Sequence, residues 1–425
     1  MSDEKTTEQQ KPVQKRKGNP FCINIFPADT TGCDFYRNFC PRETVEHCVG
    51  NIMFNTCRKF LVDDNFFRGI NVNILQRQVN NSQCEYYLKY IVPMSRKCGS
   101  WIVYNIDDCI FKDDIPRYNK AWEVYQDEQY MQNVYKMLNA SDFVLVTTDE
   151  LGEYYTKRFG VSEDAIIVIP NYLPRWWIEH CYDLEKSIMN FEKNKARPRI
   201  GLIGAPSHYD VNNKKIDNDI TSILPYIKKT LKDYRWVVFG SKIPELEEYI
   251  ASGEIEFHGG IDILHYPDRV SRLNLQYVVA PLQDNTFNRC KSNIKLTESW
   301  AMGIGCAAQD ICAYNKYTKD VFGDCESLDA ILKRDLKDEA VFGEKISSNF
   351  KKMDDWWLES HLDSWLKLYR LRQKPLLYNY DSKLAQQRQQ QQKKEAEGGI
   401  EAPKIVIPDL SDMKADNTKN NEEGK

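Results

Sequence analysis

The feature that most constrains this chain is an alternation, run through twice, of short apolar segments with amphipathic helical ones. In the first series Cys22–Phe26, Ile70–Leu75, Trp101–Ile106, Phe143–Thr148 and Ile166–Ile169 read as buried strands. The helix after Thr148 is the best signalled. Thr148 caps it, Asp149 and Glu150 fill its first turn, Leu151, Tyr154, Tyr155 and Phe159 make its apolar face, and Gly160 ends it. After a polar stretch, Glu185–Arg199, the second series offers Arg199–Gly204, Arg235–Gly240, Glu254–Gly259, Tyr277–Leu282 and Ile304–Ala308 as strands. A helix over Pro244–Gly253 and another over Ser292–Met302 are expected between them. Alternation of this kind predicts α/β architecture, each series a parallel sheet covered by helices. The expected units are residues 20–184, residues 185–353 and a C-terminal helix within 354–378. Two such units leave a cleft between them, and open parallel sheets bind ligands beyond the carboxyl ends of their strands.

Residues 1–19 and 379–425 are too polar to offset the entropy of ordering, and disordered tails are expected there; the second is rich in glutamine and charge. The net charge of −4 and pI near 6.0 argue against a protein held to a polyanion by its overall field. Thirteen cysteines carry no C-x-x-C pair, so zinc-ligand spacing is missing and no metal site is expected. The odd cysteine count and a polar, not apolar, N-terminal segment point to the cytoplasm, a host cytoplasm if the chain is viral. No apolar run is long enough to span a bilayer, so no integral membrane association is expected.

The densest chemistry lies in Phe287-Asn-Arg-Cys-Lys-Ser-Asn-Ile-Lys-Leu-Thr-Glu298. Ser292 is a suitable helix cap. Lys291, Lys295 and Glu298, at spacings of four and three, place two ammonium groups and a carboxylate on one face of the opening turns. A helix start already favours anions, and two lysines suit a diphosphate. A carboxylate one turn deeper suits the vicinal hydroxyls of a ribose. The plainer alternative is a solvated face with an i,i+3 ion pair.

This pattern resembles the retaining glycosyltransferases of the GT-B fold, family 4, over roughly residues 20–370. Glu298-Ser-Trp-Ala-Met-Gly303 matches the second of that family's two motif glutamates; the first falls at Cys290, a departure. The resemblance implies two Rossmann-like domains, a last helix crossing back to the first, and no metal or cofactor besides a nucleotide-diphosphate sugar as donor. It implies a phosphate-facing loop at Gly204-Ala-Pro-Ser-His-Tyr-Asp210, with Ser207, His208 and, further on, Lys214 and Lys215. Gly259, in Phe257-His-Gly-Gly260, falls in the base-reading segment, and Ser292 and Asn293 join the donor site. In the first domain it implies a glycine loop, Asp29–Arg37, where Gly32 gives room and Arg37 offsets charge on the leaving diphosphate; an ordinary surface salt bridge is the alternative. Asp107 and Asp108, after a buried strand, read as acceptor or metal contacts, or as helix caps. Asn171 matches an inter-domain segment, and Trp356 to Trp365 read as packing.

The expected reaction is glycosyl transfer to an acceptor hydroxyl with retention. The acceptor is a glycan, protein or small molecule, or a hydroxylated base in DNA, for which the basic segment Lys11–Lys17 is the supporting feature. A non-catalytic sugar-nucleotide scaffold is the rival that Cys290 favours. An epimerase of the same fold is disfavoured, since no acid–base pair stands out in the cleft-facing loops.

Overall fold

A computed structural model of the chain describes residues 19–58, 64–209 and 216–373. Both expected tails (apart from Asn19), the segment Lys11–Lys17, and Lys214 and Lys215 lie outside the described residues.

The first sheet contains β1 (Phe21–Phe26), β2 (Ile52–Thr56), β3 (Ile70–Gln76), β4 (Trp101–Asn105), β5 (Phe143–Val146) and β6 (Ile166–Val168), in the order β2-β1-β3-β4-β5-β6. The second contains β7 (Arg199–Gly204), β8 (Arg235–Gly240), β9 (Glu256–Gly259), β10 (Tyr277–Ala280), β11 (Gly305–Gln309) and β12 (Val321–Phe322), in the order β12-β11-β10-β7-β8-β9. All the described ladders are parallel. Runs such as Val72 to Leu75 and Trp236 to Phe239 are buried throughout, because helices cover both faces of each sheet.

The helix Asp149–Phe159 forms as its sequence signals require. Thr148 Oγ1 accepts from the Leu151 amide at 3.2 Å, and Gly160 closes the helix at φ +71°. Elsewhere the structure corrects the sequence. The polar stretch after Glu185 is largely helix, Leu184–Asn194, capped by Asp183, and its Phe191 stacks on Phe342 of the helix Glu339–Lys351. One apolar face, Phe191 against Phe342 and Ile346, suffices to bind it to the second unit. The segment Pro244–Ala251 opens as a 3-10 turn before becoming α-helical.

The last helix, Leu362–Tyr369, packs against the first sheet. Its Tyr369 ring lies 4.9 Å from that of Phe54, and Trp101 Nε1 donates to the Arg372 carbonyl at 2.7 Å. Leu173 exchanges backbone hydrogen bonds with Trp356 and Leu358, so the tryptophan-rich segment is packing, as its sequence suggests. One apolar cluster joins Val72 and Val103 of the first sheet to Trp177 of the connector and to Val278 and Leu296 of the second unit.

Candidate active site

The strand order of the second sheet reverses between β7 and β10, the place where open α/β sheets bind ligands. A pocket opens there, lined by Gly204, His208, Asp219, Pro281, Lys295 and Tyr314 among others. Backbone packing at its floor demands glycine. At Gly240 (φ +107°) an added Cβ would stand 2.2 Å from the Gly204 carbonyl oxygen.

The lysine-bearing helix spans Ile294–Ala301 and starts later than expected. Ser292 does not cap it. Its hydroxyl accepts from Asn171 Nδ2 at 3.2 Å, tying the connector to the second unit. Asn293 takes the cap position without a side-chain cap bond, and its Nδ2 is buried with no hydrogen-bond partner. Lys291 therefore stands in the preceding turn, not on the helix, with its ammonium 4.3 Å from the Phe287 ring centre. Lys295 is on the helix, partly exposed, 3.6 Å from a Glu298 oxygen. The i,i+3 pair and the pocket thus share one lysine.

His208 sits in the 3-10 turn Pro206–His208, and its Nδ1 lies 2.9 Å from Asp219 Oδ2. Burial pushes its pKa down, the Asp219 hydrogen bond opposes that, and the charges of Lys291 and Lys295 lower it again. Those two lysines and the imidazole therefore share one electrostatic neighbourhood. Ser207 is half-buried beside it.

Glu298 is 3% exposed, and both its oxygens are held. Tyr36, from the first domain, donates to Oε1, and Tyr266 donates to Oε2 at 3.1 Å. A ribose would have to replace a tyrosine hydroxyl to reach it. Cys290 is buried against the helix Asp149–Phe159. Its carbonyl accepts from Thr148 Oγ1 at 3.0 Å.

On the first-domain side, Arg37 is not the surface cation of the salt-bridge alternative. It is 1% exposed and donates to Asn105 Oδ1 (3.2 Å), the Ile169 carbonyl (2.6 Å), Asn171 Oδ1 (3.2 Å) and the Val146 carbonyl (3.4 Å), with Trp365 packed over it at 5.4 Å. Burial lowers its pKa to about 10, so it stays charged at neutral pH and ties strand ends together. Gly32 opens a short helix, Gly32–Asp34, where an added Cβ would make only ordinary contact with Tyr36. Gly259 ends β9 with open space around it.

Asp107 and Asp108 cap no helix, since a loop runs from there to Ala121. Arg77, at the end of β3, faces them instead: 3.1 Å to Asp108, 3.8 Å to Asp107 and 3.4 Å to Asp29. Burial and then the charge of Asp107 raise the Asp108 pKa, while Lys291, Arg77 and His208 pull it down from both sides of the cleft. Asp107 Oδ1 is buried without a hydrogen-bond partner.

Sequence reasoning missed Arg77, Tyr118 and Asp219. Arg77 follows a buried parallel strand, the same signal that singled out Asp107. Asp219 and Tyr118 carried no local signal: the Tyr118 hydroxyl, from the first domain, donates to Asp219 Oδ1 at 2.7 Å across 101 positions. Among the described residues, one group of side chains could bring three metal-ligating atoms together, His180, Cys181 and Asp268, and none of them lines the pocket.

No family model and no curated relative matches the sequence. Solved structures do match. Anabaena Alr3699/HepE in complex with UDP and glucose superposes with a TM-score of 0.52 at 9% identity, covering 81% of this chain and 98% of that one. The same protein in complex with UDP-glucose gives 0.51 at 10% identity, covering 82% and 98%. The fold is GT-B. In this GT-B chain the two sheets present their carboxyl ends to one another, and Tyr36, Tyr118 and Thr148 of the first domain hydrogen-bond to Glu298, Asp219 and Cys290 of the second. No described helix is long and apolar enough to cross a membrane.

Proposed function

We propose that this chain transfers a glycosyl group from a nucleotide-diphosphate sugar to an acceptor hydroxyl. The observation that carries this reading is that Lys295 and His208 line the pocket at the switch point of the second sheet, with Lys291 in the turn before the lysine-bearing helix adding positive charge to the field at His208. Fixed positive charges there meet the negative charge that grows as the diphosphate departs, which is where preorganised electrostatics lowers a barrier most. The HepE complexes, with UDP and with UDP-glucose on the same fold, support the donor class.

Retention and independence of metal belong to the same proposal. Asp107 and Asp108 stand against Arg77, which leaves the departing phosphate to take the acceptor's proton on the same face. Asp107, whose Oδ1 makes no hydrogen bond and lies 3.8 Å from Arg77, is the candidate to orient the acceptor. The lysines supply the charge that a divalent cation would otherwise provide. Charged side chains along the open interdomain groove pair with one another: Lys157 with Glu153, Lys316 with Glu150, and Arg289 with Asp284 at 2.6 Å. Such self-neutralised walls suit a glycan or another uncharged acceptor better than DNA. Incubation with a panel of donors in excess EDTA should release nucleotide diphosphate, accelerated by the right acceptor. Binding without release would establish the scaffold reading, which Cys290 and the tyrosine-held Glu298 favour.

A further inference from the structure

Asp219 is 2% exposed and accepts four hydrogen bonds, a heavy investment for one carboxylate in a turn. Oδ1 receives the Tyr118 hydroxyl (2.7 Å), the Gln283 amide (2.8 Å) and Asn288 Nδ2 (2.8 Å). Oδ2 is left for His208. The Tyr118 hydroxyl is itself held by Asn285 and Asn288, so the carboxylate cannot turn away. An ionised carboxylate only accepts, so Nδ1 must carry a hydrogen. That fixes the tautomer: Nε2 is the lone pair of a neutral ring or the second N–H of a charged one.

The charged groups around this ring, among the described residues, are Asp219, Lys291 from the turn before the helix, Lys295 from the helix, and Asp108 from the loop after β4. Burial and the two lysines lower the pKa of the free ring from the ordinary imidazole value. A diphosphate between the lysines brings two negative charges next to the imidazole. It cancels the repulsion and leaves the Asp219 bond, which favours imidazolium.

We propose that His208 takes up a proton as a nucleotide-diphosphate sugar binds, and that the charged ring, held by Asp219, then donates Nε2–H to the phosphates. The proton comes from solvent. The site thereby gains a third cation only when the anion is present. This rests on the donor site proposed above. It makes His208 a phosphate-binding group and Asp219 a positioning residue, with Tyr118 carrying the first domain into the arrangement.

Calorimetry in buffers of different ionisation enthalpy tests this directly. UDP-, GDP-, ADP- and dTDP-glucose are suitable probes, because both of their phosphates are diesters that stay ionised throughout the neutral range. For whichever binds, the expected result near pH 7.5 is uptake of close to one proton per donor bound, since the free imidazole is neutral there. His208→Gln should still bind, about tenfold more weakly, with uptake near zero. Asp219→Asn should lower uptake while sparing the binding stoichiometry. NMR of the His208 Cε1–H resonance, free and bound, reads the same protonation without a variant. Binding without proton uptake, or uptake unchanged in His208→Gln, overturns this proposal and leaves the donor site standing. No binding of any of the four overturns both.

Discussion

The carboxyl ends of the two sheets face the same cleft but treat charge in opposite ways. On the first-domain side the cations are committed within the protein. Arg77 lies among Asp29, Asp107 and Asp108, and Arg37 is buried on carbonyls and amides. On the second-domain side Lys291 has no ion pair among the described residues, Lys295 shares Glu298 with two tyrosines, and burial lowers the pKa of His208. The first domain therefore supplies a rigid, locally compensated wall, and the second the positive field for an anion. Under the proposed function this divides acceptor side from donor side before any ligand is considered.

Four changes would break or sharpen that division. Lys295→Ala should have the largest effect, a fall of about 10²–10³ in kcat/KM (~3–4 kcal/mol), with the fold intact by circular dichroism. A near-normal value would remove the second domain's claim to the phosphates. Arg37→Gln should act on stability instead. Strand-end carbonyls lose a charged donor, and denaturant unfolding should register about 2–3 kcal/mol. A loss below about 0.5 kcal/mol would show that these contacts do not hold the strand ends together. Tyr36→Phe frees one Glu298 oxygen, so donor binding should tighten about fivefold, ~1 kcal/mol. Weaker binding would show that Glu298 serves only to join the domains.

The smallest effect belongs to the far end of the second sheet, where Glu256 meets Arg199 at 2.8 Å and His258 at 2.6 Å. Burial there raises the Glu256 carboxyl, but hydrogen bonds from Arg199 and His258 outweigh it and hold the pKa at about 2. Because the folded value lies below the unfolded one, the pair stabilises fully above about pH 5. It loses that contribution as pH falls towards 2. Glu256→Gln should cost about 1 kcal/mol or less at pH 7, flatten that acid slope, and leave donor affinity unchanged. A change in affinity would mean the two ends of the sheet are not separable.

What the sequence made legible follows from how local each signal is. The helix Asp149–Phe159 was readable to the residue because cap, face and stop all lie within its own span. The edge strands β2 and β12 were not. Only Ile52 is buried in the first, and the second is two residues long, so neither shows strand periodicity. The place of Lys295 near a helix start could be read because the segment follows a parallel strand. Ser292 was misread as the cap because its true partner, Asn171, lies 121 positions away. The burial of Arg37 was hidden in the same way: nothing near it in sequence announces that Val146, Ile169 and Trp365 will enclose it. Asp219 is the sharpest case, a residue with no local signal in the sequence whose carboxylate accepts four hydrogen bonds in the structure.

The central claim is that the second domain's carboxyl edge holds the donor's diphosphate. A crystal structure with a bound nucleotide-diphosphate sugar tests it most directly. The account predicts phosphate oxygens within hydrogen-bond distance of the Lys291 and Lys295 ammonium groups, beside His208. Phosphates seated against Arg77 of the first domain, with both lysines turned to solvent, would contradict it.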